Sequence, residues 1–186
     1  MLKRLTAFLV IIFIVTQIPC FAADENQYKK HPGYVDFSKI QIPRDAEETV
    51  EVFLQSPILK IVAAVTESKD QALAKMLENL LLIRVNTFKL HPTETAKIVT
   101  EINRIENMLH KQKWEKIVRV KDKKDRANIF LKIDDNNRIA GLVVMAIDDD
   151  NEAVFVNIVG NIDMDQVAKV GKKFKIEGLE EIEPEK

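Results

Sequence analysis

Two apolar runs near the end of the chain dominate the pattern of hydrophobic and polar positions. Residues 141–147 and 153–162 are mostly apolar at both alternating sets of positions, and a short acidic turn separates them. Such runs are typical of strands that are buried on both faces of a sheet. We therefore predict a central hairpin on which the other elements pack.

The same pattern predicts the order of the remaining elements: a strand, two helices, a strand, a helix, four consecutive strands and a final helix. The predicted bounds, in that order, are residues 49–54, 57–65, 68–80, 81–90, 93–112, 114–120, 127–133, 139–147, 153–162 and 163–171. The predicted fold class is α+β. We expect a two-layer sandwich with a mostly antiparallel sheet, a C-terminal four-stranded meander and helices packed on one face.

Two of the predicted helices carry distinct apolar patterns. In the third helix Ile98, Ile102, Ile105 and Leu109 repeat at spacings of four, three and four, which predicts a helix that covers a sheet. Residues 58–65 form a broad apolar face on the first helix. We expect both helices to pack on the sheet.

The N-terminus has the pattern of a secretory signal peptide. Lys3 and Arg4 precede an apolar stretch over residues 5–18, and small residues follow it. We predict cleavage between Ala22 and Ala23, or one residue further on, and a mature protein in the periplasm or outside the cell.

Two alternatives to cleavage stay open. A retained anchor would require about 20 apolar residues, more than this stretch provides. A lipoprotein would be modified at Cys20, but residues 17–19 are not the Leu and small residues that should precede a lipidated cysteine.

The mature chain is expected to hold one domain. We predict a cleaved signal peptide at residues 1–22, a disordered leader at 23–32, a single α+β domain at 33–178 and a frayed acidic tail at 179–186. Cys20, the single cysteine, would leave with the signal peptide, so that stability must come from the core.

The charge balance disfavours nucleic acid as a partner. The chain has 28 basic and 29 acidic residues, and cleavage would remove Lys3 and Arg4. A slightly acidic domain has no strong positive field for a polyanion. No integral membrane segment is predicted in the mature chain.

Candidate catalytic residues are scarce. No serine lies in a Gly-x-Ser-x-Gly setting, and no histidine has a second ligand at zinc-site spacing. The serines of the chain are Ser38, Ser56 and Ser68, and its histidines are His31, His91 and His110. With only 5 glycines, a phosphate-binding loop is also not expected. We predict no catalytic, cofactor-binding or metal-binding residue and no cofactor.

The acidic turn at residues 148–152 is a candidate calcium site, because Asp148, Asp149, Asp150 and Glu152 could supply oxygen ligands. The turn has no glycine and no distal glutamate for bidentate binding. We therefore interpret it as a solvated hairpin turn.

Three residues stand out as candidates for a site. Asn157 is polar within an apolar strand, and we predict that its amide satisfies neighbouring backbone groups rather than a ligand. Tyr34 and Phe37 lie in a short extended segment that we place at a sheet edge, where a partner chain could add a strand. Gly141 is interpreted as a bulge or close-approach site and Gly160 as a strand-end turn.

Several stretches resemble the family called domain of unknown function 4252. The resemblance is carried by Gly33-Tyr34-Val35-Asp36-Phe37, Val50-Glu51-Val52, Pro57-Ile58-Leu59-Lys60, Gly141-Leu142-Val143-Val144-Met145 and Val156-Asn157-Ile158-Val159-Gly160-Asn161-Ile162-Asp163. It implies an exported protein of a Gram-negative bacterium with no assigned reaction, of a kind sometimes encoded near extracytoplasmic sigma factors. It supplies no functional residue.

Three function classes remain from the sequence. The favoured one is a non-catalytic periplasmic module that binds an envelope protein. The second is a carrier of a small apolar ligand in a gap between helices and sheet, with a cavity lined by Met76, Met108, Met145 or their neighbours. The third is a carboxylate-based hydrolase, which would need two acids brought together by the fold.

Overall fold

The computed structural model describes residues 25–37, 40, 46–122 and 126–163. The strands within this part are β1 (Glu48–Gln55), β2 (Leu80–Lys89), β3 (Glu115–Lys121), β4 (Arg126–Ile133), β5 (Ile139–Ile147) and β6 (Glu152–Ile162). The α-helices are α1 (Ser56–Thr66), α2 (Gln71–Glu78) and α3 (Thr95–Lys111). The predicted signal peptide, final helix and acidic tail lie outside the described residues.

The six strands form one sheet in the order β1-β2-β6-β5-β4-β3, and every neighbouring pair is antiparallel. The predicted central hairpin, β5 and β6, occupies the middle of this order. The turn between them places Ile147 opposite Ala153. The prediction of an α+β protein with an antiparallel sheet is therefore confirmed.

Helix α3 packs on one face of the sheet, which we call the α3 face. The predicted stripe of Ile98, Ile102, Ile105 and Leu109 is buried there, as expected. It joins a core that includes fully buried phenylalanines of β2, β4 and β6. These strand positions alternate with the residues on the opposite face.

Helices α1 and α2 pack on that opposite face, which we call the α1 face. Leu59 and Ala63 of α1 join a second cluster with Leu142 and Ile158, which alternate with the α3-face positions of β5 and β6. The prediction that the helices share one face is therefore wrong. The physical reason is that both alternating sets of these strands are apolar, so that each face requires a cover.

The segment that contains Tyr34 and Phe37 is not a strand. Val35, Phe37 and Ile40 belong to the core between the sheet and α3, and the Phe37 ring lies 5.9 Å from that of Phe155. The sheet edges are β1 and β3. Placing this segment at an edge was therefore wrong, because its large apolar side chains gain more from burial under α3 than from an exposed position.

The stretch before this segment is also ordered. In place of the predicted disordered leader, residues 25–32 form a short 3-10 helix, Glu25–Gln27, followed by turns. Tyr28 is buried in a cluster with Tyr34, Leu82 and Val159. Its aromatic ring fixes this stretch to the sheet.

Two glycines allow the N-terminal segment to approach the sheet. A Cβ atom on Gly33 would lie 1.9 Å from the backbone oxygen of Ala140, and one on Gly141 would lie 2.5 Å from the Cα atom of Gly33. The β5–β6 register also shifts next to Gly141. The interpretation of Gly141 as a bulge or close-approach site is confirmed.

Candidate functional site

Asn157 links the N-terminal segment to the middle of the sheet. Its Oδ1 accepts a hydrogen bond from the Val35 N–H at 2.9 Å, and its Nδ2 donates to the oxygens of Gly33 at 3.0 Å and Leu142 at 3.3 Å. The residue is fully buried. Both amide protons are therefore used by the backbone, which confirms the structural interpretation of Asn157 and leaves no donor for a ligand.

A polar row continues from Asn157 across the α3 face, buried at Arg84 and Asn86 and exposed at Glu51. Arg84 pairs with Asn157 in the β2–β6 register, and its Nε donates to Asn86 Oδ1 at 3.1 Å. Asn86 Nδ2 then donates to Glu51 Oε1 at 2.7 Å. The apolar pattern did not predict this row, although its signal is present in the sequence: two polar residues, Arg84 and Asn86, lie two positions apart in an apolar strand.

Among Arg84, Asn86 and Glu51, the one carboxylate is that of Glu51, whose Oε1 accepts the hydrogen bond from the Asn86 amide. A paired-carboxylate mechanism needs two acids with different pKa values near one another. The hydrogen bonds of this row therefore favour a role in fixing how β1 pairs with β2 rather than a role in acid–base chemistry.

A cleft of about 300 Å³ lies between the N-terminal segment and α3. Tyr34, Phe37 and Met108 contribute to its wall, and Asp36 and Arg104 add charge. Tyr34 and Phe37 are only 9% and 3% exposed, so their rings form the inner wall of the cleft rather than an open partner surface.

The guanidinium of Arg104 is already engaged by another side chain of the protein. It makes two hydrogen bonds to the nearly buried Glu101, at 2.9 and 2.6 Å. These bonds, together with the Glu101 charge, raise the pKa of the Arg104 guanidinium despite partial burial. Arg104, which lines the cleft, is thus already paired with Glu101.

The three methionines proposed for an apolar cavity do not come together. Met108 borders the cleft, whereas Met145 is fully buried in the core on the α3 face. Met76 lies on α2, which packs on the α1 face. Only Met108 therefore supports a ligand cavity.

The histidines serve separate local contacts. His31 Nδ1 accepts from the Gly33 N–H at 3.2 Å, and burial lowers its pKa despite the nearby charge of Asp134. His91 Nδ1 accepts from the Thr93 N–H at the start of a short 3-10 helix. His110, at the end of α3, contacts the ring of Phe130.

The carboxyl groups with shifted pKa values in the described part of the chain do not suit a general acid. Burial would raise the pKa of Glu106, but the hydrogen bond and charge of Lys116 lower it overall, with help from nearby cations. The pKa of Asp134 is lowered, chiefly by the hydrogen bond from the Arg138 N–H. Both groups stay ionised at neutral pH, whereas a general acid must be protonated.

The acidic turn uses its carboxylate for its own backbone. Asp148 Oδ1 accepts from the N–H groups of Asp150 at 3.0 Å and Glu152 at 2.8 Å. Asp134 makes the same pair of contacts in the β4–β5 turn. Among the described residues, no group of three His, Cys, Asp or Glu side chains is placed to hold a metal ion.

We expect millimolar calcium to leave the melting temperature unchanged. A site present only in the folded state would stabilise it by about 2.7 kcal/mol at a hundredfold excess over the dissociation constant. Thermal unfolding with calcium and with a chelator is the measurement. An upshift of several degrees that disappears in Asp148→Asn would contradict the assignment as a turn.

Helix α1 carries an exposed apolar stripe. Ile58, Ile61, Val62 and Val65 are 47%, 61%, 41% and 71% exposed. At 100° per residue they lie within an arc of about 100° on one side of the helix. Of the broad apolar face predicted for this helix, the structure buries Leu59 and leaves these four residues exposed.

The exposure of these four residues follows from the composition of α1. The helix is apolar nearly all round, with Lys60 as its one charged residue, and packing against the sheet and α2 buries only Leu59 and Ala63. Such helices are usually buried on every side. The "α1 stripe", the four exposed residues Ile58, Ile61, Val62 and Val65, is therefore the candidate docking surface.

The described residues form an α+β fold with an exposed apolar stripe on α1. The family model of the domain of unknown function DUF4252 matches residues 39–170, and the chain belongs to this family. No curated protein and no solved structure matches the chain. Among the described residues, no helix has the length and apolarity needed to cross a membrane.

Proposed function

We propose that this protein is an exported, non-catalytic module that binds another protein in the bacterial cell envelope. The observation that carries the proposal is the α1 stripe, in which four large apolar side chains stand exposed on one helix. Export is supported by the signal-peptide pattern at the N-terminus. A role in envelope signalling is supported by the resemblance to the family alone.

The spacing of the stripe indicates how a partner would bind. Its residues follow one another as i, i+3, i+4 and i+7, the pattern by which a helix inserts one face into an apolar groove. Burying a large aliphatic side chain fully contributes about 1.5–3 kcal/mol. The partner is therefore expected to present an apolar groove or helix pair rather than a charged surface.

The cleft beside α3 favours a second candidate, a carrier of a small apolar ligand. Its volume of about 300 Å³ is at the lower end for ligand pockets, and Ile105 and Met108 supply apolar wall. The rim, however, carries Lys29, Asp36 and Arg104. If the protein carries a small apolar ligand in this cleft, substitution of Met108 should abolish ligand binding. Substitutions in the α1 stripe should leave ligand binding unchanged.

The test is capture of a partner from the envelope with tagged wild-type and variant proteins. We expect Val65→Asp with Ile61→Asp to lose the recovered protein, because the acidic groups would have to be desolvated in the complex. The matched control is Lys60→Asp, which adds an acid to the same helix outside the stripe. Recovery of the same partner by all three proteins would contradict the proposal.

Folding must be intact for this comparison. Ile61 and Val65 are the most exposed residues of the stripe, so that both variants should unfold within about 1 kcal/mol of wild type. Circular dichroism and a denaturant titration check this.

A further inference from the structure

The two outer strands of the sheet are exposed along much of their length. Residues 48–52 of β1 and residues 119–121 of β3 are all exposed. Among them, Val50, Val52 and Val120 are 44%, 37% and 48% exposed. Within the described part of the chain, β1 pairs with β2 and β3 pairs with β4. An edge strand presents backbone N–H and C=O groups with which a further strand can pair.

The two edges carry opposite charges. β1 contains the acids Glu48 and Glu51 and no basic residue. β3 contains one acid, Glu115, and more basic residues, namely Lys116, Arg119 and Lys121. Opposite charges that face each other stabilise a strand pair, and like charges destabilise it. Two copies of the chain are therefore expected to avoid contact through the same edge and to favour contact of β1 with β3.

The strand registers align these two edges. A row of paired residues starts at Glu51 in β1, crosses all six strands and ends at Arg119 in β3. Between them the row contains Asn86, Phe155, Met145 and Asn128. Because six strands alternate in direction, β1 and β3 run in opposite directions. A second copy shifted along the row therefore brings its β1 antiparallel to β3 of the first copy, with the same face of the sheet on the same side.

We propose that this protein assembles head to tail, with β1 of one copy pairing antiparallel with β3 of the next. Glu51 then lies opposite Arg119 on the α3 face, which joins an acid to a base. The two rows beside it, on the α1 face, start at valines of β1 and end at valines of β3. They align Val50 with Val120 and Val52 with Val118. Each strand pair thus combines one charged contact with two apolar contacts.

The charges select one mode of contact between copies. Charged residues on edge strands usually protect a sheet from unwanted pairing. In this sheet they oppose contacts between two β1 edges or two β3 edges, and they favour contact between β1 and β3. A copy that binds through β1 still presents its own β3, so that further copies extend the assembly into a ring or a filament. This contact lies outside the α1 stripe and goes beyond the proposed function.

The first test is sedimentation velocity of the full chain over a series of protein concentrations. We expect the mean mass of wild type to rise with concentration and to fall with added salt, which screens exposed charges. Arg119→Glu and Glu51→Lys should each weaken self-association at least about tenfold, because each places like charges opposite each other. A mixture of the two variants should restore self-association, since each supplies the edge that pairs with the other.

Lys111→Glu is the matched control for these variants. It makes the same charge change as Arg119→Glu at an exposed residue of α3, outside both edges. We expect self-association within about twofold of wild type. Circular dichroism checks that each variant is folded, because Glu51→Lys also removes the acceptor of the hydrogen bond from Asn86.

A disulfide cross-link tests the register with both charges in place. In the full chain with Cys20→Ser, Val50→Cys with Val120→Cys should oxidise to a ladder of dimers, trimers and longer chains. The matched control replaces Val120→Cys by Ile117→Cys, an exposed position of the same strand that lies outside the row of Val50. It should form at least about tenfold less of the ladder, because its Cα atom would lie beyond the reach of about 7 Å that a disulfide permits.

Four results would overturn the proposal. The first is a wild-type chain that stays monomeric up to about 1 mM. The second is a mixture of the two charge variants that associates no better than each variant alone. The third is equal cross-linking of the two cysteine pairs. The fourth is self-association that Ile61→Asp with Val65→Asp abolishes, which would place the contact between copies on the α1 stripe.

Discussion

Replacing Ile102 by aspartate is expected to lower the free energy of unfolding by more than about 3 kcal/mol. Ile102 is 2% exposed in the middle of α3, within the core on the α3 face. The substitution would remove an apolar side chain and bury a charge that has no partner. Typical domains are stable by about 5–15 kcal/mol, so a large part of the folded population could be lost.

Denaturant unfolding followed by circular dichroism measures this effect. The control is Asn103→Asp, which introduces the same side chain on the exposed side of α3, one residue further on. We expect the control to change the free energy of unfolding by less than about 0.5 kcal/mol. A midpoint for Ile102→Asp within error of wild type would show that α3 does not cover the sheet.

Replacing Asn157 by leucine is expected to cost about 3 kcal/mol or more. The change removes three hydrogen bonds and leaves the Val35 N–H and the Gly33 carbonyl without their side-chain partner. A buried polar group that loses its partner costs about 1–3 kcal/mol. Because both groups lie in the N-terminal segment, this segment should detach from the sheet before the rest unfolds.

Hydrogen exchange at the Val35 amide, together with chemical denaturation, tests this expectation. Asn161→Leu is the matched control, because Asn161 is an exposed residue of the same strand. Faster exchange in Asn157→Leu and not in Asn161→Leu would support the tethering role. Unchanged stability and exchange would show that the amide is dispensable for the fold.

The sequence predicted those features that depend on local periodicity. The stripe of α3 predicted a covered sheet, and turns of Asp and Asn predicted the hairpins, where Asn137 and Asn151 adopt positive φ angles of 59° and 61°. Asn157 was identified because one polar residue in an apolar strand must find partners. These inferences need only the spacing and chemistry of neighbouring residues.

Features that depend on long-range packing could not be predicted in this way. Apolar residues at both alternating positions of β5 and β6 indicate two buried faces, but they do not say which helix covers which face. Aromatic residues such as Tyr34 and Phe37 are compatible with a buried core segment and with an edge strand. Their identity alone therefore does not distinguish the two positions. The row of Arg84, Asn86 and Glu51 arises only when β1 pairs with β2.

The α1 stripe is the clearest case of this limit. Its residues have the pattern of a buried helix, and the structure buries the neighbouring Leu59 and Ala63 instead. Periodicity reports that a surface is suited to burial, whereas only the tertiary structure shows whether the chain itself supplies the cover. A helix face that is suited to burial but that the chain leaves exposed therefore indicates a partner.

The central claim, that the α1 stripe binds a partner protein, is tested most directly by affinity at equal stability. Once a partner is recovered, its dissociation constant is measured by calorimetry with wild type, Ile61→Asp with Val65→Asp, and Lys60→Asp. We predict at least about a hundredfold weaker binding for the stripe variant, or about 2.7 kcal/mol, and less than about threefold for Lys60→Asp. Equal affinity of the stripe variant and wild type, with both proteins folded, would contradict the claim.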